Sequence, residues 1–373
     1  MIPITLERNG RSGVLEVGPE WLEAERELLR AGARLPLFHR LAWAQCDYHK
    51  QYRFVTVRDE DDRVLGGVAV QVDESRVLRG HTYLRVVQFG EGLPKSSWRP
   101  LVEALAGLAQ HGEKVLRMRV GIFSREHRDT IASLLSQHGF HRAEHPLSYR
   151  DTLTIDLRPE ESAILKSLNK SARKNLHAAD KSALHLHVLT EEEYADQIAH
   201  LEQDAVHRTK GVCERHPWRS ILQLSREHPE LSRVVGMFTS AGDTRPEALV
   251  GFGWGCMHGG HAEYRAGGTV RLPNTNVSIS HRLLRDLMFW AKQKGASWFD
   301  MGGVTPIDSP DDPRRGITAF KRHFTHHTEV VGEEWVLEPR PARARLAGLL
   351  GGGLRGFTGV LAQIKGTSNG KGH

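Results

Sequence analysis

The sequence predicts an α+β fold arranged as two successive halves, and three observations lead there. Amphipathic helical stretches and short apolar runs alternate along the chain, and the same rhythm begins again near Arg158. A length of 373 residues matches roughly two domains on the ~150-residue scale of single domains. Finally, no apolar run approaches the ~20 residues that cross a bilayer, and three cysteines (Cys46, Cys213, Cys256) are too few for a disulfide framework. No repeat of fixed period is visible, so the duplication rests on the order of elements alone.

The first half spans 1–157. Trp21, Leu22, Leu28 and Leu29 lie among charged residues between Pro19 and Arg30, an amphipathic helix closed by Gly32. Strand-like runs follow at Tyr52–Val57 and Val64–Val72, separated by the charged turn 59–63. Tyr83–Phe89 reads as a strand, Leu101–Leu108 as a helix, Val115–Val120 as a strand and Arg128–His138 as a helix. The strand Tyr149–Leu157 closes the unit.

The second half spans 158–324. Glu160–Lys181 reads as one long helix, followed by the strand Leu184–Leu189. Thr190 with Glu193 forms a capping box that opens a helix to about Arg208. A helix at Pro217–Arg226 precedes strands at Val234–Phe238, Ala248–Met257 and Ala262–Ala266. The long helix Ser278–Lys294, the buried strand Ser297–Gly302 and the short basic helix Gly316–Phe324 complete the half. Residues 325–338 hold one more strand, Glu329–Leu337, and 339–373 form a basic, glycine-rich tail without acidic side chains, expected to be flexible.

The residues with most chemical content stand at Trp298-Phe-Asp-Met-Gly-Gly-Val304 and Gly316-Ile-Thr-Ala-Phe-Lys-Arg-His-Phe324. A buried strand ends in Asp300 and two glycines, which admit a ligand close to backbone. Beyond a polar loop, Lys321 follows the apolar Phe320 on a helix position expected to be exposed. A lysine there can set a positive charge where an oxyanion develops.

These segments resemble the C-terminal signature of the Fem-type (FemABX) aminoacyltransferases, an aromatic-Asp-x-x-Gly strand leading through a Pro/Asp loop to Gly-x-x-x-Phe-Lys-x-x-Phe. Leu168-Asn-Lys-Ser-Ala-Arg-Lys-Asn-Leu-His-Ala-Ala-Asp-Lys181 resembles the family's basic helix, and His207-Arg-Thr-Lys-Gly211 with Arg215 and Trp218 is similar to its Thr-x-x-Arg-x-Gly element. Tyr264 precedes Gly267-Gly268 where the family has a Tyr before a Gly-rich loop, and Phe38 with Trp43 resembles its opening.

The resemblance covers about Ser162–Phe324. It implies two tandem GNAT-like (acyl-CoA N-acyltransferase-like) domains, the strand within 325–338 returning to the first. It also implies transfer of an aminoacyl group from aminoacyl-tRNA, a co-substrate needing no further cofactor, onto an amine of a peptidoglycan precursor or small-molecule natural product. By the same resemblance Lys321 stabilises the tetrahedral oxyanion with Phe320 packed beside it, and Arg215, Tyr264, Asp300 and Trp43 bind substrate. One departure stands out: Leu116-Arg-Met-Arg-Val-Gly-Ile122 has no carboxylate where the family often has an acidic residue ending a first-domain strand.

The basic helix also has a reading of its own. Lys166, Lys170, Arg173, Lys174, His177 and Lys181 recur at three- and four-residue spacing, one cationic stripe suited to nucleic-acid phosphates or simply a solvated face. With 51 Lys+Arg against 45 Asp+Glu, the chain carries +6 at pH 7.

His258-Gly-Gly-His261 with Cys256 has metal-ligand residue types, but the glycines read as a hairpin turn, and no metal is expected. Arg265-Ala-Gly-Gly-Thr-Val270 is similar to the pyrophosphate loop of acetyl-CoA enzymes. This leaves an acyl-CoA donor as the alternative, with a non-catalytic RNA-binding relative as the third reading. Met1–Arg11 lacks the layout of a signal peptide, so a cytoplasmic protein is expected, with peripheral membrane contact through the basic tail.

Overall fold

The computed structural model describes residues 12–112, 114–209, 216–272, 277–304 and 315–350. Its frame is a pair of mixed seven-stranded sheets. The first takes β1 (Ser12–Glu16), β2 (Gln51–Arg58), β3 (Val64–Glu74), β4 (Thr82–Gly90), β5 (Val115–Phe123) and β6 (His141–Arg142). The second takes β7 (Asp151–Asp156), β8 (His185–Val188), β9 (Ser232–Phe238), β10 (Leu249–His258), β11 (His261–Thr269), β12 (Trp298–Gly303) and β13 (Thr328–Val330). β14 (Gly332–Leu337) returns to the first.

The two orders coincide: β1-β2-β3-β4-β5-β14-β6 in one sheet, β8-β9-β10-β11-β12-β7-β13 in the other. In each, the fourth and fifth strands pair in parallel and their neighbours are antiparallel. The helices follow the same plan. α1 (Pro19–Arg30) and α2 (Leu41–Cys46) lie between β1 and β2; α7 (Ala195–Thr209) and α8 (Trp218–Glu227) lie between β8 and β9. Each parallel pair is joined by a long helix, α3 (Lys95–His111) or α9 (Ile279–Gln293), and followed by a shorter one, α4 (Arg128–Gln137) or α10 (Arg315–Lys321). α5 (Glu161–Ser167) and α6 (Lys170–Asp180) precede β8.

Apolar spacing explains the joining helices. α9 buries Leu283, Leu284, Leu287, Trp290 and Ala291, a stripe that faces β9–β11. Trp43, Trp218 and Trp254 sit in one continuous core that draws on both sheets. A second core lies between α9 and the second sheet.

Five sequence expectations change. The strand expected to close the first half is β7, and it pairs with β12 and β13 of the second sheet. The strand expected at Glu329–Leu337 is two, β13 in the second sheet and β14 in the first, parted at Val331. Each half thus lends a strand to the other, and the crossing buries Phe123, Trp298 and Val331 with Tyr149 against them. The helix expected over Glu160–Lys181 breaks at Leu168, because Asn169 caps α6 by accepting the Ala172 N–H at 2.8 Å. The Thr190 hydroxyl bonds to Glu191 rather than closing a capping box. In the expected flexible tail, 341–350 is helical, and the rest of it lies outside the described residues.

Candidate active site

β11 and β12 start side by side and then separate. Their parallel ladder holds three rungs, His261↔Trp298, Ala262↔Phe299 and Glu263↔Asp300, and ends there. Beyond it, β11 stays with β10 as far as Thr269 while β12 turns at Gly302, whose φ of +79° suits glycine. The opening leads to a cavity of 510 Å³, lined by Tyr264–Thr269 of β11, by Phe320 and Lys321 of α10, and by Glu202 and Arg208 of α7.

Lys321 stands at the parting of the strands. Far from the exposed position expected, it is 8% exposed, and its Nζ donates to the Gly303 carbonyl at 2.8 Å. A Cβ at Gly302 would come within 3.1 Å of that nitrogen, so glycine gives the lysine its seat. Burial pushes the ammonium down to about 8, opposed by the negative charges of Asp300 and Glu263. Phe320 packs edge-on to His281 (5.2 Å) and Phe324 (5.7 Å), fixing the helix that carries Lys321.

Below the lysine, Glu263 and Asp300 share the last rung, both buried. Asp300 accepts from Gly302 N–H (2.6 Å), from the Tyr149 hydroxyl (2.8 Å) and from Thr152. Glu263 accepts from the Tyr149 hydroxyl at 3.3 Å and lies 3.3 Å from His258 and 3.8 Å from Arg265. Burial, then the neighbouring Glu263, raises the Asp300 carboxyl above its ordinary value. Burial also works against the Glu263 charge, but His258 and Arg265 outweigh it and hold that carboxyl low.

The expected site residues divide accordingly. Lys321, Phe320 and Tyr264 meet at the cavity. The Tyr264 hydroxyl lies where a Gly267 side chain would be, 2.1 Å from its ideal Cβ, and burial lifts it to about 12. Asp300 is not on the cavity wall: it is fully buried and its oxygens are taken by protein donors. Trp43 is not at the cavity either; it packs on Phe38 and Trp254 in the shared core and donates to the Tyr52 hydroxyl at 3.2 Å. Arg215 lies outside the described residues.

Lys170, Lys174 and Lys181 are exposed on or just beyond α6, whereas Lys166 stands on α5 across the break. Arg173 is exposed but turns its guanidinium back to the Lys166 and Leu168 carbonyls (2.7 and 2.6 Å). Asn169 ties the start of α6 to the end of α10, donating to the Arg322 carbonyl at 3.1 Å. The run Arg265–Thr269 is strand rather than loop: Ala266–Thr269 are ladder-paired, Arg265 stands at a bulge, and α7 closes over them, the Leu201 carbonyl lying 2.5 Å from a Cβ at Gly268.

Sequence reasoning missed Tyr149, Glu263 and Glu202, which accepts from His216 (2.7 Å) and Trp218 (2.9 Å). A carboxylate inside the otherwise uncharged run Ala262-Glu-Tyr264 was the available signal for Glu263; Tyr149 had none.

No protein-family model and no curated protein matches the sequence. Solved structures do match in shape. FemX is 13% identical, with a TM-score of 0.73, over 88% of this chain and 99% of its own. This is the FemX fold. The L-PGS structure from Bacillus licheniformis shares it more distantly, 14% identical with a TM-score of 0.52 over 90% of this chain and 98% of its own. Two tandem GNAT-like domains, as the Fem-type resemblance implies, account for both sheets. Among the described residues no helix is long and apolar enough to cross a membrane.

Proposed function

We propose that the protein is an N-acyltransferase that moves an aminoacyl group from aminoacyl-tRNA to an amine. The observation that carries this reading is the buried Lys321 ammonium at the parted ends of β11 and β12, facing a cavity wide enough for an ester and an amine. Neither described cysteine is placed to act as a nucleophile; Cys46 and Cys256 are buried, and burial raises both thiols. An aminoacyl ester requires none, because it is already activated. The acceptor nitrogen attacks the ester carbonyl, and the tetrahedral oxyanion forms against Lys321. The C–O bond to the ribose then breaks, and the proton lost by nitrogen goes to the departing ribose oxygen.

Two features favour tRNA over an acyl-CoA donor. Exposed Lys170 and Lys174 start a cationic helix tied by Asn169 to the helix of Lys321, so a bound nucleic acid would end near the cavity. The glycines that would cradle a pyrophosphate are committed to strand pairing. The acceptor class is an amine-bearing small molecule or peptidoglycan precursor. Peripheral contact with an anionic membrane belongs to the same reading, since Leu346 and Leu349 are exposed on helix 341–350 beside Arg345.

The test is incubation of the whole protein with bulk tRNA charged with radiolabelled amino acids and a cell extract as acceptor pool. Label should enter a small tRNA-free product, and RNase should abolish it. Product made from labelled acetyl-CoA, insensitive to RNase, would replace the donor.

A further inference from the structure

A lysine that must remain charged while buried needs a source of negative potential, and the last rung of the β11–β12 ladder supplies one in an unusual form. Glu263 and Asp300 face each other from adjacent parallel strands, and one tyrosine hydroxyl lies between them, 2.8 Å from Asp300 Oδ2 and 3.3 Å from Glu263 Oε1. Two buried carboxylates this close do not both stay ionised unless donors hold them. Tyr149 is the donor they share.

Its seat is built for it. A Cβ at Gly303 would lie 2.5 Å from the Tyr149 Cβ, and one at Gly332 would lie 2.1 Å from its carbonyl oxygen. Those glycines stand on β12 and β14, so both sheets leave room for this one residue. Phe123 of β5 meets the ring edge-on at 6.4 Å. Tyr149 is absent from the cavity wall and therefore does not touch a ligand there.

We propose that Tyr149 is a positioning residue which, by donating to Asp300 and bridging it to Glu263, keeps negative charge on this pair and so retains the Lys321 ammonium at neutral pH. The idea rests on the role given to Lys321 above and adds the device that makes the role possible.

Among the described residues, the other charges near the lysine do not supply this potential. Across the cavity, Glu202 is held by His216 and Trp218, and Arg208 donates to the Thr269 carbonyl at 2.7 Å. Arg265 and His258 act on Glu263 rather than on Lys321, and burial keeps His258 neutral, with its value lowered to about 4. On the lysine's own side, His281 is likewise lowered to about 4, His323 stacks on it, and Arg322 offers its backbone carbonyl to Asn169. Tyr264, lifted to about 12, stays neutral throughout. Among the described residues, the net pull on Lys321 comes from Glu263 and Asp300.

The charge on Lys321 can be measured without a substrate, by competitive acetic anhydride labelling of the whole protein across pH with peptide mass spectrometry, since only the neutral amine reacts. The wild-type midpoint is expected at about 8. Tyr149→Phe keeps the ring and removes the hydroxyl; protonation of Asp300 becomes easier, and the Lys321 midpoint should fall by about one pH unit. In the transfer assay the alkaline limb should move down by the same amount. Glu263→Gln, which removes one charge with little change of shape, should lower the midpoint too and carries the test if Tyr149→Phe fails to fold. An unmoved midpoint in the folded variant overturns the proposal. A moved midpoint in a protein that transfers nothing would leave the charge device standing and sink the transferase reading instead.

Discussion

The two sheets share one strand order and come apart at different seams. In the first, β4 and β5 stay paired over seven positions, from Thr82↔Val115 to Gly90↔Phe123. The gap opens instead between β3 and β4, which pair only from Gln71↔Arg85 to Glu74↔Thr82. His39 fills that gap: its Nδ1 accepts the Ala69 N–H at 3.0 Å, and its Nε2 lies 3.4 Å from the Gln88 carbonyl. In the second sheet the antiparallel seam runs the full length of the strands, from Gly251↔Thr269 to His258↔His261 with one bulge at Arg265, and the parallel seam opens after three rungs. There the gap is left as a cavity with Lys321 at its edge. The same topology therefore yields a plugged seam in one half and an open one in the other, and the difference lies in which side chain meets the exposed strand edges.

That contrast predicts opposite phenotypes for the two bridging side chains. Lys321→Ala should lower transfer about 10²-fold, the scale of losing one oxyanion donor, in a protein that still melts cooperatively. His39→Ala should leave the rate per folded molecule intact and lower unfolding free energy by about 3 kcal/mol, because it opens a void and orphans the Ala69 N–H. Urea titration read beside the transfer assay separates the two; a rate loss in the His39 variant would break the division between halves. His39 also gives the stability a pH window. Burial lowers its value to about 4, so between pH 6.5 and 4 the unfolded chain binds a proton the native state refuses. Stability is full above that window and falls as pH drops through it. The His39 variant should keep only the share of this slope due to His258 and His281, both lowered to about 4.

Glycines next to each seam give a matched pair of smaller effects. A Cβ at Gly267 would lie 2.1 Å from the Tyr264 hydroxyl, so Gly267→Ala should displace that ring into the cavity and cut transfer about tenfold. A Cβ at Gly66 would lie 2.4 Å from the Ser97 Cβ, where α3 crosses the first sheet. Gly66→Ala should cost about 2 kcal/mol in stability and nothing in transfer per folded molecule.

Much of this was legible in the chain itself. The apolar spacing of α1 and α9 and the Gly259-Gly260 hairpin follow from local pattern, and the structure bears these elements out. Only half of the strand exchange was foreseen: the Fem-type resemblance implied the return of the C-terminal strand to the first domain, as β14 does, whereas β7 reads identically whichever sheet takes it, and its partners are set by closure of the crossover around Trp298 and Val331. The Glu263–Tyr149–Asp300 unit was hidden for a related reason. Its residues stand 114 and 151 positions apart in the chain and meet only once both strands are exchanged. Nor could composition separate Trp43 from a ligand-binding tryptophan, since the same ring serves either purpose until its neighbours are known.

The segment that precedes the first strand of the second sheet gives a last test. Before β8 stand α5 and α6. If α6 guides a polyanion to the open seam, its charges should affect binding and leave chemistry alone. Lys170 and Lys174 are both exposed, whereas Arg173 is occupied with the carbonyls at the end of α5. The double substitution Lys170→Glu, Lys174→Glu should therefore weaken tRNA binding several-fold at moderate salt. It should also flatten the plot of log affinity against log salt by about 0.9 for each phosphate no longer neutralised. Saturating tRNA should restore the rate, because Lys321 and its carboxylates are untouched. An unchanged slope would show that this helix face is merely solvated. The open seam would then need another guide.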